Sequence, residues 1–440
     1  MEFQVKIAGF LSGIKPVFEV ATKGAVKEFD GVNKINISAE KDSIELSSFN
    51  GRMSIKNKLS DLSLSDLDYK LTTNGTTTVN VKDLLNVLDS FNPTETIVVN
   101  LNTSTDGKTK ELVFTQKNDK EQFQSLPCYD AVVSLPQVAT KFEKEIEIDK
   151  NIFISSNKKV FFAVGFEQHR EQYLYWVLRT DKGKARFVAG SGGRFAILEL
   201  DGKDIVSNIG KAVDMLFPKE STPILNNVLS YIDAERITIK QSDPSATDGS
   251  PYQILISSDD VEVCLVAMNP DIKWINENDF ISAVYNTKLI TKVSELEYAG
   301  KGVVATFSEE MRKEHHPHKA TVEVDSTKKY IAVKTNNVMK SLRKVSIIDD
   351  KSTVPTQGNF TFNCASVYLN ELANYATDKN GYIQIETNKD IDPSNRFTKV
   401  VVIRYYATDK VVDKASDLKT TNDALGLSES FTIFFSKLVD

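Results

Sequence analysis

The stretch 79–102, VNVKDLLNVLDSFNPTETIVVNLN, decides how the chain is read. Val81, Leu84, Leu85 and Leu88 fall at helical spacing, a polar break follows, and from Ile97 the apolar residues form a strand-like run. The same passage occurs at 221–242, STPILNNVLSYIDAERITIKQS, on Ile224, Leu225, Val228 and Leu229 before Ile237. It occurs again at 363–388, NCASVYLNELANYATDKNGYIQIETN, on Val367, Tyr368, Leu369 and Leu372 before Ile383. The three copies lie about 140 residues apart, a repeat of domain size.

A second helical pattern precedes each copy: AGFLSGIKPVFEVATK (8–23), NIFISSNKKVFFAV (151–164) and NDFISAVYNTKLITKV (278–293). Between the helical patterns run segments such as DSIELSSF, KELVFTQK, YQILISSD and VEVCLVAM. Their alternation of apolar and polar residues is that of half-buried antiparallel strands. The expected architecture is α+β, with three tandem domains at 1–140, 141–275 and 276–440, each carrying two short helices on antiparallel sheets. Three polar segments, 243–251, 308–319 and 407–426, read as surface insertions.

Composition narrows the function. Of 440 residues 41% are hydrophobic and 26% charged, with a net charge of −6, as in an ordinary globular protein. The acidic balance excludes a surface that is basic throughout but leaves room for a local basic strip. The three cysteines, Cys128, Cys264 and Cys364, are too few and too scattered for a disulfide framework or a CxxC metal site. A reducing, cytoplasmic setting is expected, with no membrane segment.

Lysines accompany each helical pattern: Lys15, Lys23 and Lys27 in the first domain, Lys158 and Lys159 in the second, Lys288 and Lys292 in the third. Each alone reads as a solvated helix face. Repeated on equivalent helices of a curved array, they would hold duplex DNA by its phosphates, independently of sequence.

Ala189–Phe195 reads AGSGGRF and looks at first like a phosphate loop. A P-loop needs a lysine after its glycines and a helix behind them. Here Arg194 and Phe195 follow, and FAILELDG reads as a strand, so a tight turn between two strands is expected. His315, His316 and His318 sit beside a proline in an insertion and read as solvated; no metal, cofactor or catalytic group is expected.

In order and spacing, several segments resemble the bacterial β sliding clamp, the processivity factor of a replicative DNA polymerase. KPVFEVATK (15–23), TTVNVKDLLNVLD (77–89) and FQSLP (123–127) are similar to its first domain. Gln168–Leu200, with the core VAGSGGRFA, is similar to the segment of its second domain that usually reads V-A-T-D-G-H-R-L-A. MNPDIKWI (268–275) resembles its F-P-D-Y-x-x-V run, and FTFNCASVYLNELANY (360–375) resembles its F-N-x-x-Y helix start.

The resemblance implies a ring of two crescent protomers around duplex DNA, and therefore a homodimer. It also implies a hydrophobic pocket for peptides of a DNA polymerase, an ATP-driven clamp loader and other replication or repair proteins. Carried over by position, the pocket wall is Leu174, Gly190, Ser191, Gly192, Gly193, Arg194 and Phe195, then Pro270, Trp274 and Ile275, Asn363, and Phe434 and Phe435 of the last strand. Lys27, Gln168, Arg170 and Tyr173 become candidate DNA contacts, and Phe123 a candidate dimer contact. Gly190, Ser191 and Gly193 stand where the family usually has Thr, Asp and His, and the usual Met-Pro-Met ending is missing, departures that suit a divergent, phage-encoded client polymerase. The alternatives are a clamp-like binding or virion structural protein that does not encircle DNA, and a hydrolase whose glycine turn lies near catalysis.

Overall fold

The structure is a computed structural model that describes residues 1–26, 29–104, 109–139, 141–165, 171–181, 184–191, 194–201, 205–207, 213–242, 252–266, 274, 285–306, 319–325, 330–336, 340–346, 359–365, 381–388, 400–406 and 430–436. The chain divides into two compact units. One joins Met1–Ser155 to Lys203–Asp271, the other Ser156–Gly202 to Ile272–Asp440.

A smaller motif than a domain repeats along the chain: one strand, a helix, then three strands. It begins with β1 (Glu2–Lys6), α1 (Ile7–Thr22), β2 (Lys34–Ala39), β3 (Ile44–Phe49) and β4 (Met53–Leu59). After a short β5 (Lys70–Thr73) come β6 (Gly75–Asn80), α2 (Val81–Asp89), β7 (Thr96–Thr103), β8 (Lys110–Gln116) and β9 (Asp119–Tyr129). The third copy is β10 (Phe142–Asp149), α3 (Lys150–Phe161), β11 (Tyr175–Asp181), β12 (Lys184–Ser191) and β13 (Arg194–Asp201). Past β14 (Ile205–Ser207) the fourth is β15 (Val213–Pro218), α4 (Thr222–Tyr231), β16 (Arg236–Ser242), β17 (Ile254–Ser257) and β18 (Val261–Leu265). The fifth is β19 (Thr287–Lys292), α5 (Val293–Val304), β20 (Lys319–Asp325), β21 (Tyr330–Asn336) and β22 (Lys340–Ser346). The sixth keeps β23 (Phe360–Ala365), β24 (Tyr382–Thr387), β25 (Val400–Tyr406) and β26 (Ser430–Ser436), its helix position lying outside the described residues.

Consecutive copies interlock. The single strand of one pairs antiparallel with the first ribbon strand of the other: β1 with β7, β6 with β2, β10 with β16, β19 with β24 and β23 with β20. The helix starts follow the same rule. Ile7 N donates to Glu95 O, Val81 N to Asn33 O, Lys150 N to Glu235 O and Val293 N to Gly381 O, so α1, α2, α3 and α5 are each started by a carbonyl just ahead of the partner copy's ribbon. That carbonyl satisfies one of the N–H groups a helix start leaves orphaned. Lys6 and Lys292, the residues ahead of α1 and α5, accordingly make no side-chain cap.

In the first unit β4 pairs with β18, from Met53 opposite Leu265 to Asn57 opposite Val261, and carries one sheet across two copies. Above this seam α1 packs on β4 and α4, burying Phe10, Ile14, Val17 and Val20. Glu19, also buried there, accepts from Lys23 Nζ at 2.7 Å and Asn227 Nδ2 at 2.9 Å. The connector after β9 is fastened from both sides by buried amides. Asn36 accepts from Val133 N at 2.9 Å and donates to Val133 O at 2.9 Å, while Gln253 accepts from Ala139 N at 2.9 Å and donates to Gln137 O at 2.7 Å. In the second unit β11, β12, β13, β26, β25, β24 and β19 follow one another in a sheet, and β22, β21, β20 and β23 form another.

One expected element is corrected. The helical reading of 278–293 fails at Thr287–Lys292, which is strand β19, and the helix of this region starts at Val293. Thr287, Leu289, Ile290 and Thr291 are all buried, the run pairs with β24, and β-branched residues favour the strand. Lys288 therefore lies on a strand, and Lys292 ends it.

Candidate functional site

The glycine-rich stretch is a hairpin. β12 and β13 pair from Lys184 opposite Asp201 to Ser191 opposite Arg194, so two residues, Gly192 and Gly193, separate the closing pair and lie outside the described residues. A two-residue hairpin loop favours positive φ, which glycine adopts without penalty. Strand β13, not a helix, follows the glycines.

Gly190 is small for a different reason. It faces Phe195 across the hairpin, and a Cβ there would collide with the Phe195 ring, 3.0 Å from Cε2. Phe195 is buried, so its ring fills the space that a side chain at 190 would occupy. Gly165 is similarly confined: a Cβ would stand 2.9 Å from Tyr173 Cβ and 3.2 Å from Ser191 Cβ. Arg194 lies 5.7 Å from the centre of the Phe162 ring. The hairpin end is thus enclosed by Phe162, Gly165 and Tyr173, of which only Tyr173 was singled out in the sequence. The FFAVG run after α3 is the signal that could have found the other two.

Beyond the hairpin lies the last strand. Phe195 stands opposite Phe434 and Arg194 opposite Phe435, and across β26 these face Val402 and Val401 of β25. The register therefore makes neighbours of residues about 240 positions apart in the chain, an instance of contacts that only sheet pairing brings together. Leu174, half-buried, ends the single 3-10 turn Glu171–Leu174 that leads into β11. Trp274 is half-buried, and its indole Nε1 is buried with no hydrogen-bond partner among the described residues. Asn363 sits elsewhere, on β23 of the four-stranded sheet, where it accepts from Thr321 Oγ1 at 2.9 Å. Pro270 and Ile275 lie outside the described residues.

The candidate DNA contacts are scattered in character. Lys15 is exposed on α1, and Lys23, just past its end, is exposed but paired with Glu19. Lys158 is exposed on α3 and Lys159 half-buried; Lys292 is exposed. Tyr173 is buried, and its carbonyl accepts from Gly165 N at 2.7 Å. Lys27, Gln168 and Arg170 lie outside the described residues.

Two last strands of the repeat have an edge with no strand partner among the described residues. Of β4, β9, β13, β18, β22 and β26, four pair among themselves as β4–β18 and β13–β26. Among the described residues, β9 pairs between Asp119 and Pro127 with β8 alone, and β22 with β21 alone. Both carry exposed apolar side chains, Phe123 at 61% and Leu342 at 55%. In sequence β9 begins Asp119-Lys120-Glu121, a net charge of −1, while β22 holds Arg343 and Lys344 beside Leu342.

No protein-family model and no curated protein sequence matches the chain. Solved structures do. The DNA polymerase III subunit beta from Pseudomonas aeruginosa has a TM-score of 0.74 at 12% identity, with both chains covered in full. The beta subunit from DNA polymerase of Streptococcus pyogenes has 0.73 at 14%, again with both covered in full, and the DNA polymerase sliding clamp from Bacillus subtilis 0.73 at 11%, over 100% of this chain and 99% of that one. At such identities the likeness is one of fold: over its whole length the chain has the α+β fold of bacterial β sliding clamps.

Proposed function

We propose that the chain is a DNA sliding clamp, a non-enzymatic ring that holds a replicative polymerase on duplex DNA. The observation that carries this reading is the full-length likeness to sliding clamps, which extends through every copy of the repeat. Paired copies of the motif constitute the three domains 1–140, 141–275 and 276–440. Two chains close the ring as a homodimer, β9 of each pairing with β22 of the other, so that both leftover edges are used. A two-fold dimer uses the same contact twice.

The ring threads duplex DNA, and exposed lysines such as Lys15, Lys158 and Lys292 meet phosphates without reading sequence. The polymerase is tethered by topology, which raises its local concentration at the primer end. Its peptide docks at the β12–β13 hairpin beside β26, near Leu174, Arg194 and Phe435, with Trp274 as the aromatic wall. Because Phe195 already occupies the space over Gly190, apolar contact there is supplied by this ring and not by a side chain at 190. An ATP-driven loader, separate from this chain, opens the ring in the cytoplasm of the bacterial or phage-infected cell.

Topology gives the direct test. Clamp loaded on nicked circular DNA should be retained and should fall off once the circle is linearised. Equal retention on both forms would show that the chain binds DNA, if at all, without encircling it. For the peptide site, Trp274→Ala with Phe435→Ala should abolish binding of the client polymerase's peptide while the dimer persists, and retained affinity would show that the pocket is misplaced.

A further inference from the structure

A cleft of about 220 Å³ opens in the first unit, where the middle of α1, the end of β4, the end of α4 and the β17–β18 turn meet. It is smaller than the ~300–1,000 Å³ of small-molecule sites and suits a single anchoring side chain. Its lining is mixed: Pro16, Leu59 and Leu64 supply an apolar part, polar residues such as Asn57 and Ser63 lie among them, and Tyr231 also lines it, 47% exposed. The lining also holds three carboxylates, Asp233, Asp259 and Asp260, against one cation, Lys58. The combination of an apolar passage and an acidic lining excludes phosphate and matches a side chain with an aliphatic stem and a cationic head.

The geometry points to a docking site for a short peptide segment of a partner protein, anchored by an arginine. The stem lies along Pro16, Leu59 and Leu64. The guanidinium fork meets the adjacent Asp259 and Asp260 and stacks on Tyr231, a pairing that lysine cannot reproduce. Burial, and then the neighbouring Asp259 charge, push the Asp260 carboxyl up, while Lys58 and a hydrogen bond with Ser63 pull it down. A guanidinium would relieve that repulsion. The site lies within one protomer and does not depend on the ring.

The test uses the full chain and a fluorescein-labelled hexapeptide, Gly-Leu-Arg-Leu-Ser-Gly, read by fluorescence anisotropy. Saturable binding is expected, weakened about tenfold or more when norleucine replaces arginine and by Asp259→Asn with Asp260→Asn, since a charge-assisted hydrogen bond contributes that much. The single exposed change Asp233→Asn should weaken binding in the same direction without altering thermal stability. Equal affinity for the norleucine peptide, undiminished affinity in the Asp259/Asp260 variant, or no saturation up to millimolar peptide would each overturn the proposal.

Discussion

Truncating Phe123 to Ala tests how the chain assembles. Phe123 lies on the free edge of β9 and is 61% exposed in the protomer. A phenylalanine presents roughly 200 Å², so about 120 Å² is available to a partner, and at ~25 cal/mol per Å² its full burial is worth about 3 kcal/mol. Alanine keeps about a third of that, leaving a loss of about 2 kcal/mol per contact. A two-fold dimer has two such contacts, so the dimer dissociation constant should rise about a thousandfold. Sedimentation equilibrium over a range of chain concentrations measures this directly. Because the residue is exposed, the stability of the isolated protomer should change by less than about 0.5 kcal/mol. Leu342→Ala on β22 should act in the same direction, and high salt should weaken both the native and variant dimers, since the two edges carry opposite charge. A dimer constant moved less than about threefold by Phe123→Ala, with the fold intact, would remove β9 from the interface and refute the edge-pairing argument.

Gly190→Ala should cost about 2 kcal/mol in denaturant unfolding but close to nothing in a Phe195→Ala background, because the cost is a collision with that ring; additive losses would show that the glycine is needed for its backbone instead. Asn36→Leu should destabilise the first unit by about 3 kcal/mol, since it leaves Val133 N, Val133 O and the Thr78 hydroxyl without their buried partner; a loss below about 1 kcal/mol would mean the connector finds other partners. Burial first, then the Glu262 charge, push the Cys264 thiol up to about 12, against a smaller pull from Lys56. The folded chain therefore keeps this proton while the unfolded thiol releases it, so stability falls as pH rises from the ordinary thiol range towards 12. Mass spectrometry should find Cys264 unalkylated by iodoacetamide at pH 8 unless the chain unfolds, and labelling at the unfolded rate would contradict the burial.

The sequence showed the helices where an apolar stripe does the packing. Phe10, Ile14 and Val17 mark α1, and Leu84 and Leu88 mark α2, because each set is buried on one face. Periodicity could not separate helix from strand in the short run Thr287–Lys292, where pairing with β24 decides the outcome. The half-domain repeat was invisible for a related reason. The starts of α2 and α3 carry side-chain caps as well, from Asn80 and Asp149, whereas α1 and α5 have only the carbonyl of the interlocked copy. Such a start leaves no residue-type signature. Gly190 carried its meaning only in combination: its partner Phe195 is five residues on, but that the two face each other is a property of register. The position of Phe434 beside Phe195 came from resemblance, since no local pattern links the last strand to the hairpin.

The leftover edges weigh on function in a way composition alone does not. An unpaired strand edge invites indiscriminate pairing, and proteins commonly guard it with charge. Arg343 and Lys344 on β22, and Asp119 and Glu121 on β9, would serve as such guards if solubility were the whole explanation. Guarding does not account for Phe123 and Leu342, large apolar side chains exposed among those charges, one on each edge. Nor does it account for the signs, which differ between the edges and so repel like from like while attracting β9 to β22. Charge that discourages self-pairing of either edge yet favours their union is what selects a single closed partner arrangement. Such selectivity suits the proposed dimer better than it suits a monomeric binding protein.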